Sequence, residues 1–177
     1  MTRHTWPAAL AALAIWSLPA SAADTAVELK RMHKCCEGCA KEVVKILRGV
    51  EGVGGVTADQ GATAAEFTAA DARAVQKALD ALAVGGFYGD TGGAKGFAFP
   101  DDSGVKPGKV KSLTVTGFHN SCGGCVKSFR EAIKGVQGVA GDNAKAKVAT
   151  AEVTGDFDAA DLVKALNKAG FHVKVKD

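Results

Sequence analysis

Several function classes need features that this sequence does not have. Its lysines are spread along the chain, aromatic residues make up only 6% of it, and nowhere do basic residues cluster with interleaved aromatics. A surface that tracks phosphates needs such a stripe, so nucleic acid is excluded as a partner. There is no repeated carboxylate pair, no nucleophile with a base and no phosphate-cradling glycine loop, which argues against an enzyme. After the first segment, no apolar run approaches the length of about 20 residues that a membrane-spanning helix takes. What remains, with 47% hydrophobic residues in 177, is ordinary globular material, neither disordered nor fibrous.

The apolar run from Ala8 to Leu18 follows Arg3 and ends in Pro19-Ala20-Ser21-Ala22-Ala23. A positive start, a short apolar stretch and small residues at its end predict a secretory signal over 1–22, cleaved after Ala22 or Ala23. An uncleaved anchor or an N-terminal helix is the alternative. The mature chain is therefore expected in the periplasm or outside the cell. Without Arg3 it keeps 21 basic and 19 acidic residues, a net charge of about +2.

The chain contains one unit twice. Met32-His33-Lys34-Cys35-Cys36-Glu37-Gly38-Cys39 returns as Phe118-His119-Asn120-Ser121-Cys122-Gly123-Gly124-Cys125, at an offset of 86 residues. Val50-Glu51-Gly52-Val53 matches Val136-Gln137-Gly138-Val139, and Gly86-Phe87 matches Gly170-Phe171 after small length changes. One structural reading must therefore fit both copies. In the second, Val110 to Thr116 alternates as a half-buried strand does, and Val126, Phe129, Ile133 and Val136 form a helical stripe after the cysteine loop. The first copy has Val43, Ile46, Leu47 and Val50 in that role.

Two weak strands follow in each copy, at 53–58 and 63–68 and at 139–142 and 146–154. Helices are predicted over 71–82 and 158–168, with Asp71 and Asp158 near their positive ends. Last strands are expected over 86–88 and 170–175. The fold class is thus α+β, with two ferredoxin-like βαββαβ domains, each an antiparallel four-stranded sheet with two helices on one face. Their expected bounds are 26–90 and 109–177. The segment 91–108, rich in Gly, Asp and Pro, reads as a linker that lets the domains stand at a variable distance, with Phe97, Phe99 and Pro100 available to pack on one of them.

A CxxC at the start of a helix puts two sulfurs where backbone N–H groups and the helix dipole favour thiolate. Thiolates suit Cu(I), Zn(II) and similar soft ions, not Mg(II) or Ca(II). Each loop offers a candidate ligand set: His33, Cys36 and Cys39, then His119, Cys122 and Cys125. Zn(II) wants a fourth ligand, whereas Cu(I) is content with about two or three, so the set leans towards Cu(I), with Zn(II) or another soft divalent ion behind it. Alternatives stay open: oxidised CxxC pairs in an exported chain, a thiol–disulfide redox protein, or a metal-free interaction module. A thioredoxin-type site would want a proline loop that is missing here. The histidines are ligands or merely solvated loop residues. Cys35, which faces Ser121 in the alignment of the copies, is a further ligand, an intermolecular disulfide or a tolerated residue. Gly38 and Gly124 read as loop geometry.

The paired loops resemble the heavy-metal-associated domain of copper chaperones, mercury-scavenging periplasmic proteins and the N-terminal modules of metal-pumping ATPases. The resemblance covers nearly all the expected mature chain except the linker. It implies metal-binding cysteines at Cys36, Cys39, Cys122 and Cys125, an aromatic near each site at Phe87 and Phe171, and Cu(I), Zn(II), Cd(II) or Hg(II) as cargo. It also implies a metal-transporting membrane protein as partner; the chain itself is read as a monomer. One departure stands out: the family usually reads Gly-Met-x-Cys-x-x-Cys, and here each loop is about two residues longer and carries the histidine.

Overall fold

A computed structural model describes residues 24–60, 64–92 and 96–176. The expected signal segment lies outside the described residues. Among those described, no helix is long and apolar enough to cross a membrane.

The first unit runs β1 (Thr25–Leu29), α1 (Glu37–Arg48), β2 (Val53–Thr57), β3 (Ala65–Ala69) and α2 (Ala72–Val84). The second runs β4 (Lys109–Thr116), α3 (Gly123–Lys134), β5 (Val139–Asp142), β6 (Thr150–Asp158), α4 (Ala159–Lys168) and β7 (Lys174–Lys176). Two antiparallel sheets result, ordered β1-β3-β2 and β5-β6-β4-β7. The second has the strand order of the split β-α-β plan, with β4 and β6 central.

Helical stripes meet these sheets as their spacing requires. Cys39, Ala40, Val43 and Leu47 are buried on α1, and Cys125, Val126, Phe129 and Ile133 on α3. Each of α2 and α4 is started by an aspartate. Asp71 accepts from Ala74 N, and Asp158 accepts from Ala160 N at 2.9 Å and Asp161 N at 3.2 Å. Asp158 also accepts from Gly108 N at 3.1 Å, so one carboxylate ties the end of the connecting segment to a helix start. Asp158→Ala should therefore cost about 1–2 kcal/mol, measured as a lower Tm and a lower denaturant midpoint.

The expected fourth strand of the first unit does not form. Beside β1 there is only a bridge between Lys30 and Asp90, with reciprocal hydrogen bonds of 2.7 Å. Gly86-Phe87-Tyr88 pairs instead with the other unit: Phe87 is bridged to Phe171, Tyr88 N donates to Gly170 O at 2.9 Å, and His172 N donates to Gly86 O at 3.1 Å. Gly86 and Gly170 have φ of +78° and +89°, which turn each segment towards the other unit; after that turn the second unit returns to its sheet at Lys174, whereas the first makes only the Lys30–Asp90 bridge.

The connecting segment also differs from a loose tether. Phe99 is buried in the first core and stacks on Tyr88 with ring centroids 4.8 Å apart. Val105 packs against the second core, and Ser103 O accepts from Val175 N at 2.8 Å. Asp102 meets His172 Nε2 at 2.7 Å and Lys174 Nζ at 2.8 Å; the Lys174 ammonium first, and His172 after it, hold its carboxyl below the ordinary aspartate range. In this arrangement the segment lies across both units and holds them together.

Candidate metal centre

Cys36 and Cys122 are the N-cap residues of α1 and α3, both with extended backbone, which places Cys39 and Cys125 in the first helical turn. The sulfurs thus stand at the positive ends of two helices. Loop conformation is set by the residue after each histidine. Lys34, buried, donates its ammonium to Ala64 O at the start of β3. Asn120, equally buried, donates through Nδ2 to Lys145 O and Val148 O, each at 2.8 Å, in the turn before β6. The residues that lengthen the loops are therefore anchors to the neighbouring strand connection. Asn120→Ala removes two hydrogen bonds made by a buried amide to the strand connection, each worth about 0.5–1.5 kcal/mol, and should cost about 1–3 kcal/mol. The same variant should weaken metal binding by roughly 10-fold as the second loop loosens, read by competition with a chelator.

The two loops face each other. His33 stacks on Phe171 at 4.3 Å between centroids, and His119 stacks on Phe87 at 4.2 Å, so each loop histidine lies on the aromatic of the opposite unit. Phe87 and Phe171 are fully buried, as core residues are, and hold the interface as well. His119 N donates to Gly86 O at 3.1 Å. A Cβ added at Gly86 would lie 2.2 Å from His119 N, and one at Gly170 would lie 2.3 Å from His33 N. No side chain fits at either position.

This docking brings all five cysteines, each a free thiol, into one cluster. Cys36 and Cys39 sulfurs are 3.3 Å apart, and those of Cys122 and Cys125 are 3.8 Å apart. Between the loops, Cys39 lies 3.8 Å from Cys125 and Cys36 lies 3.8 Å from Cys122. Cys35 touches three of the others: Cys125 at 3.5 Å, Cys122 at 3.6 Å and Cys39 at 3.7 Å. The sets of potential ligand atoms cross the copies. One is His33, Cys35, Cys39 and Cys125, and another is Cys35, Cys36 and Cys122, with the atoms of each set within 4.8 Å of one another. Five of the six expected ligands, Cys36, Cys39, Cys122, Cys125 and His33, thus fall in these sets, and Cys35 joins them. His119 belongs to neither set and lies instead against Phe87.

Five thiols this close cannot all ionise without a cation. Cys39 is held well above the ordinary thiol range, first by its contact with the Cys125 sulfur and then by burial; Cys125 is held far below it, first by the Cys39 thiol. Burial pushes Cys35 up. Cys36, at the rim, is lowered to about 7, first by the Cys39 backbone N–H and then by its thiol. His33 Nε2 and His119 Nε2 are buried without hydrogen-bond partners, and burial lowers the pKa of His119. A sulfur-rich donor set with an imidazole at its edge fits a soft cation.

Against known families, residues 121–172 match the heavy-metal-associated domain. That segment starts at Ser121 and includes Cys122, Cys125 and Phe171. No curated protein matches the chain in sequence. Among solved structures, the N-terminal soluble domains of Bacillus subtilis CopA, determined in solution, align over 88% of this chain and 95% of that chain at 16% identity. The TM-score is 0.31, too low for that likeness to carry weight. The heavy-metal-associated domain and the cysteine cluster together indicate soft-metal binding.

Proposed function

We propose that this chain is an exported binding protein for a soft heavy-metal ion, Cu(I) ahead of Zn(II), Cd(II) and Hg(II). It holds the ion for sequestration or passes it by thiolate exchange to a metal-transporting membrane protein, and it catalyses no reaction. Both units, by this reading, are heavy-metal-associated domains in tandem. The observation that carries it is the convergence of five thiols from two loops at the starts of two helices. Cys39 and Cys125 are buried, while Cys36 and Cys122 are half-exposed and form the rim through which an incoming thiolate exchanges. Anaerobic titration of the reduced chain with Cu(I) against a competing chelator tests this. Tight binding is expected, lost when Cys36, Cys39, Cys122 and Cys125 are all serine; a reduced wild type that does not bind would contradict it.

One observation favours a second reading, a thiol–disulfide exchange protein. Cys36, lowered to about 7 and 3.3 Å from Cys39, has the setting of an attacking thiolate with its resolving partner. Catalysed reduction of a protein disulfide with dithiothreitol as the electron donor, lost in Cys36→Ser, would support it over metal binding.

A further inference from the structure

Cys35 has no counterpart in the second loop, yet its sulfur is central to the cluster. Two sulfurs bound to one tetrahedral ion at about 2.3 Å lie roughly 3.8 Å apart. The seven sulfur–sulfur separations here run from 3.3 to 3.8 Å, and every sulfur has at least two such neighbours. The five therefore cannot be divided into two isolated CxxC sites, because Cys35 adjoins both pairs. Its seat is prepared by the opposite loop: a Cβ added at Gly124 would lie 2.9 Å from Cys35 Sγ, so this glycine makes room for a sulfur from the other copy. The Cys-Gly-Gly-Cys of the second loop and the Cys-Cys of the first are complementary.

Charge points the same way. Five thiolates holding one monovalent ion per CxxC pair would keep a large net negative charge in a half-buried centre, and each further Cu(I) cancels one unit of it. The buried His33, with its unpartnered Nε2 and with a ring nitrogen within 4.8 Å of the Cys35, Cys39 and Cys125 sulfurs, adds a neutral donor at the edge.

We propose that the docked loops hold a single polynuclear Cu(I)–thiolate cluster, bridged by Cys35, in place of two separate ions. This rests on the soft-metal reading above. If each thiolate bridges two ions and His33 adds one bond, ligand counting gives roughly three or four Cu(I) per chain at three bonds each. Loading requires loss of the thiol protons to solvent and no electron transfer, since Cu(I) enters and stays as Cu(I).

The test is Cu(I) titration of the full reduced chain against a chelator, combined with X-ray absorption of the loaded protein. Wild type is expected to load cooperatively beyond one ion per CxxC pair and to show a short copper–copper vector. In Cys35→Ser, which copies Ser121 and should fold, loading is expected to fall to one ion per CxxC pair and the copper–copper vector to disappear. Gly124→Ala, which displaces the Cys35 sulfur while leaving all five cysteines, should act in the same direction. Wild type saturating at one ion per pair without that vector, or Cys35→Ser unchanged in both, would overturn the cluster but leave soft-metal binding intact. No Cu(I) binding by reduced wild type would overturn both.

Discussion

Cys39→Ala together with Cys125→Ala should lower affinity for Cu(I) by more than about 100-fold while leaving the fold intact. Both sulfurs are buried at the contact of the two loops, 3.8 Å apart, and both belong to the set that includes His33. Their loss removes the inner wall of the centre and leaves Cys35 with only the rim thiols, Cys36 and Cys122. Loss of an outer partner of a metal ligand typically costs 10- to 100-fold, so loss of two ligands should exceed about 100-fold. The cost to the metal-free chain is much smaller, on the order of 1 kcal/mol per site, because cysteine to alanine removes one buried atom. Melting separates the two effects. The metal-free Tm should fall slightly, whereas the rise in Tm on adding Cu(I), which reflects binding to the native state alone, should vanish. An unchanged metal-induced shift in the double variant would show that the ion sits elsewhere.

Gly86→Ala with Gly170→Ala should have the second large effect, on the docking of the units. Each new Cβ would fall within 2.3 Å of a backbone nitrogen of the opposite loop, that of His119 or His33. Each position also has φ near the left-handed region, which costs a residue with a Cβ about 1–2 kcal/mol in addition to the clash. Backbone against backbone cannot yield as a flexible side chain does. The units should separate, and the radius of gyration from small-angle scattering should rise above the value of about 16 Å expected for a compact chain of this length. Copper loading should then revert to one ion per CxxC pair. An unchanged scattering curve would show that the interface tolerates the extra methyls.

Much of this was legible in the residues. The 86-residue offset of the cysteine loops pointed to two units, each with its loop at a helix start, the three-to-four spacing of Val43 and Leu47 and of Phe129 and Ile133 marked the helices, and Asp71 and Asp158 marked the helix starts. The four CxxC cysteines stand where a helix-start loop puts them. What could not be read was the relation between the copies. A repeat describes each unit alone, and the residues that join the units looked like parts of a single one: Gly86-Phe87 and Gly170-Phe171 passed for strand starts, although they pair with each other across the interface. Phe99, an aromatic in a segment rich in Gly and Asp, packs on the first core, but the ties made by Asp102 and Ser103 to the far end of the chain are too distant in sequence to show. Lys34 and Asn120 gave a faint signal, since both sit in the extra loop length, and a buried polar residue beside a motif is a reason to look for an anchor. Cys35 has no counterpart in the second loop, and two of its three sulfur neighbours, Cys122 and Cys125, lie 87 and 90 residues away.

The docking of the two loops implies a single centre served by both. It is tested most directly by loading the reduced chain with a single equivalent of cadmium-113 and recording its scalar couplings to cysteine β-protons. One cadmium resonance coupled to cysteines of both loops, such as Cys39 and Cys125, is the predicted result. Two resonances, each coupled only to Cys36 and Cys39 or only to Cys122 and Cys125, would contradict it.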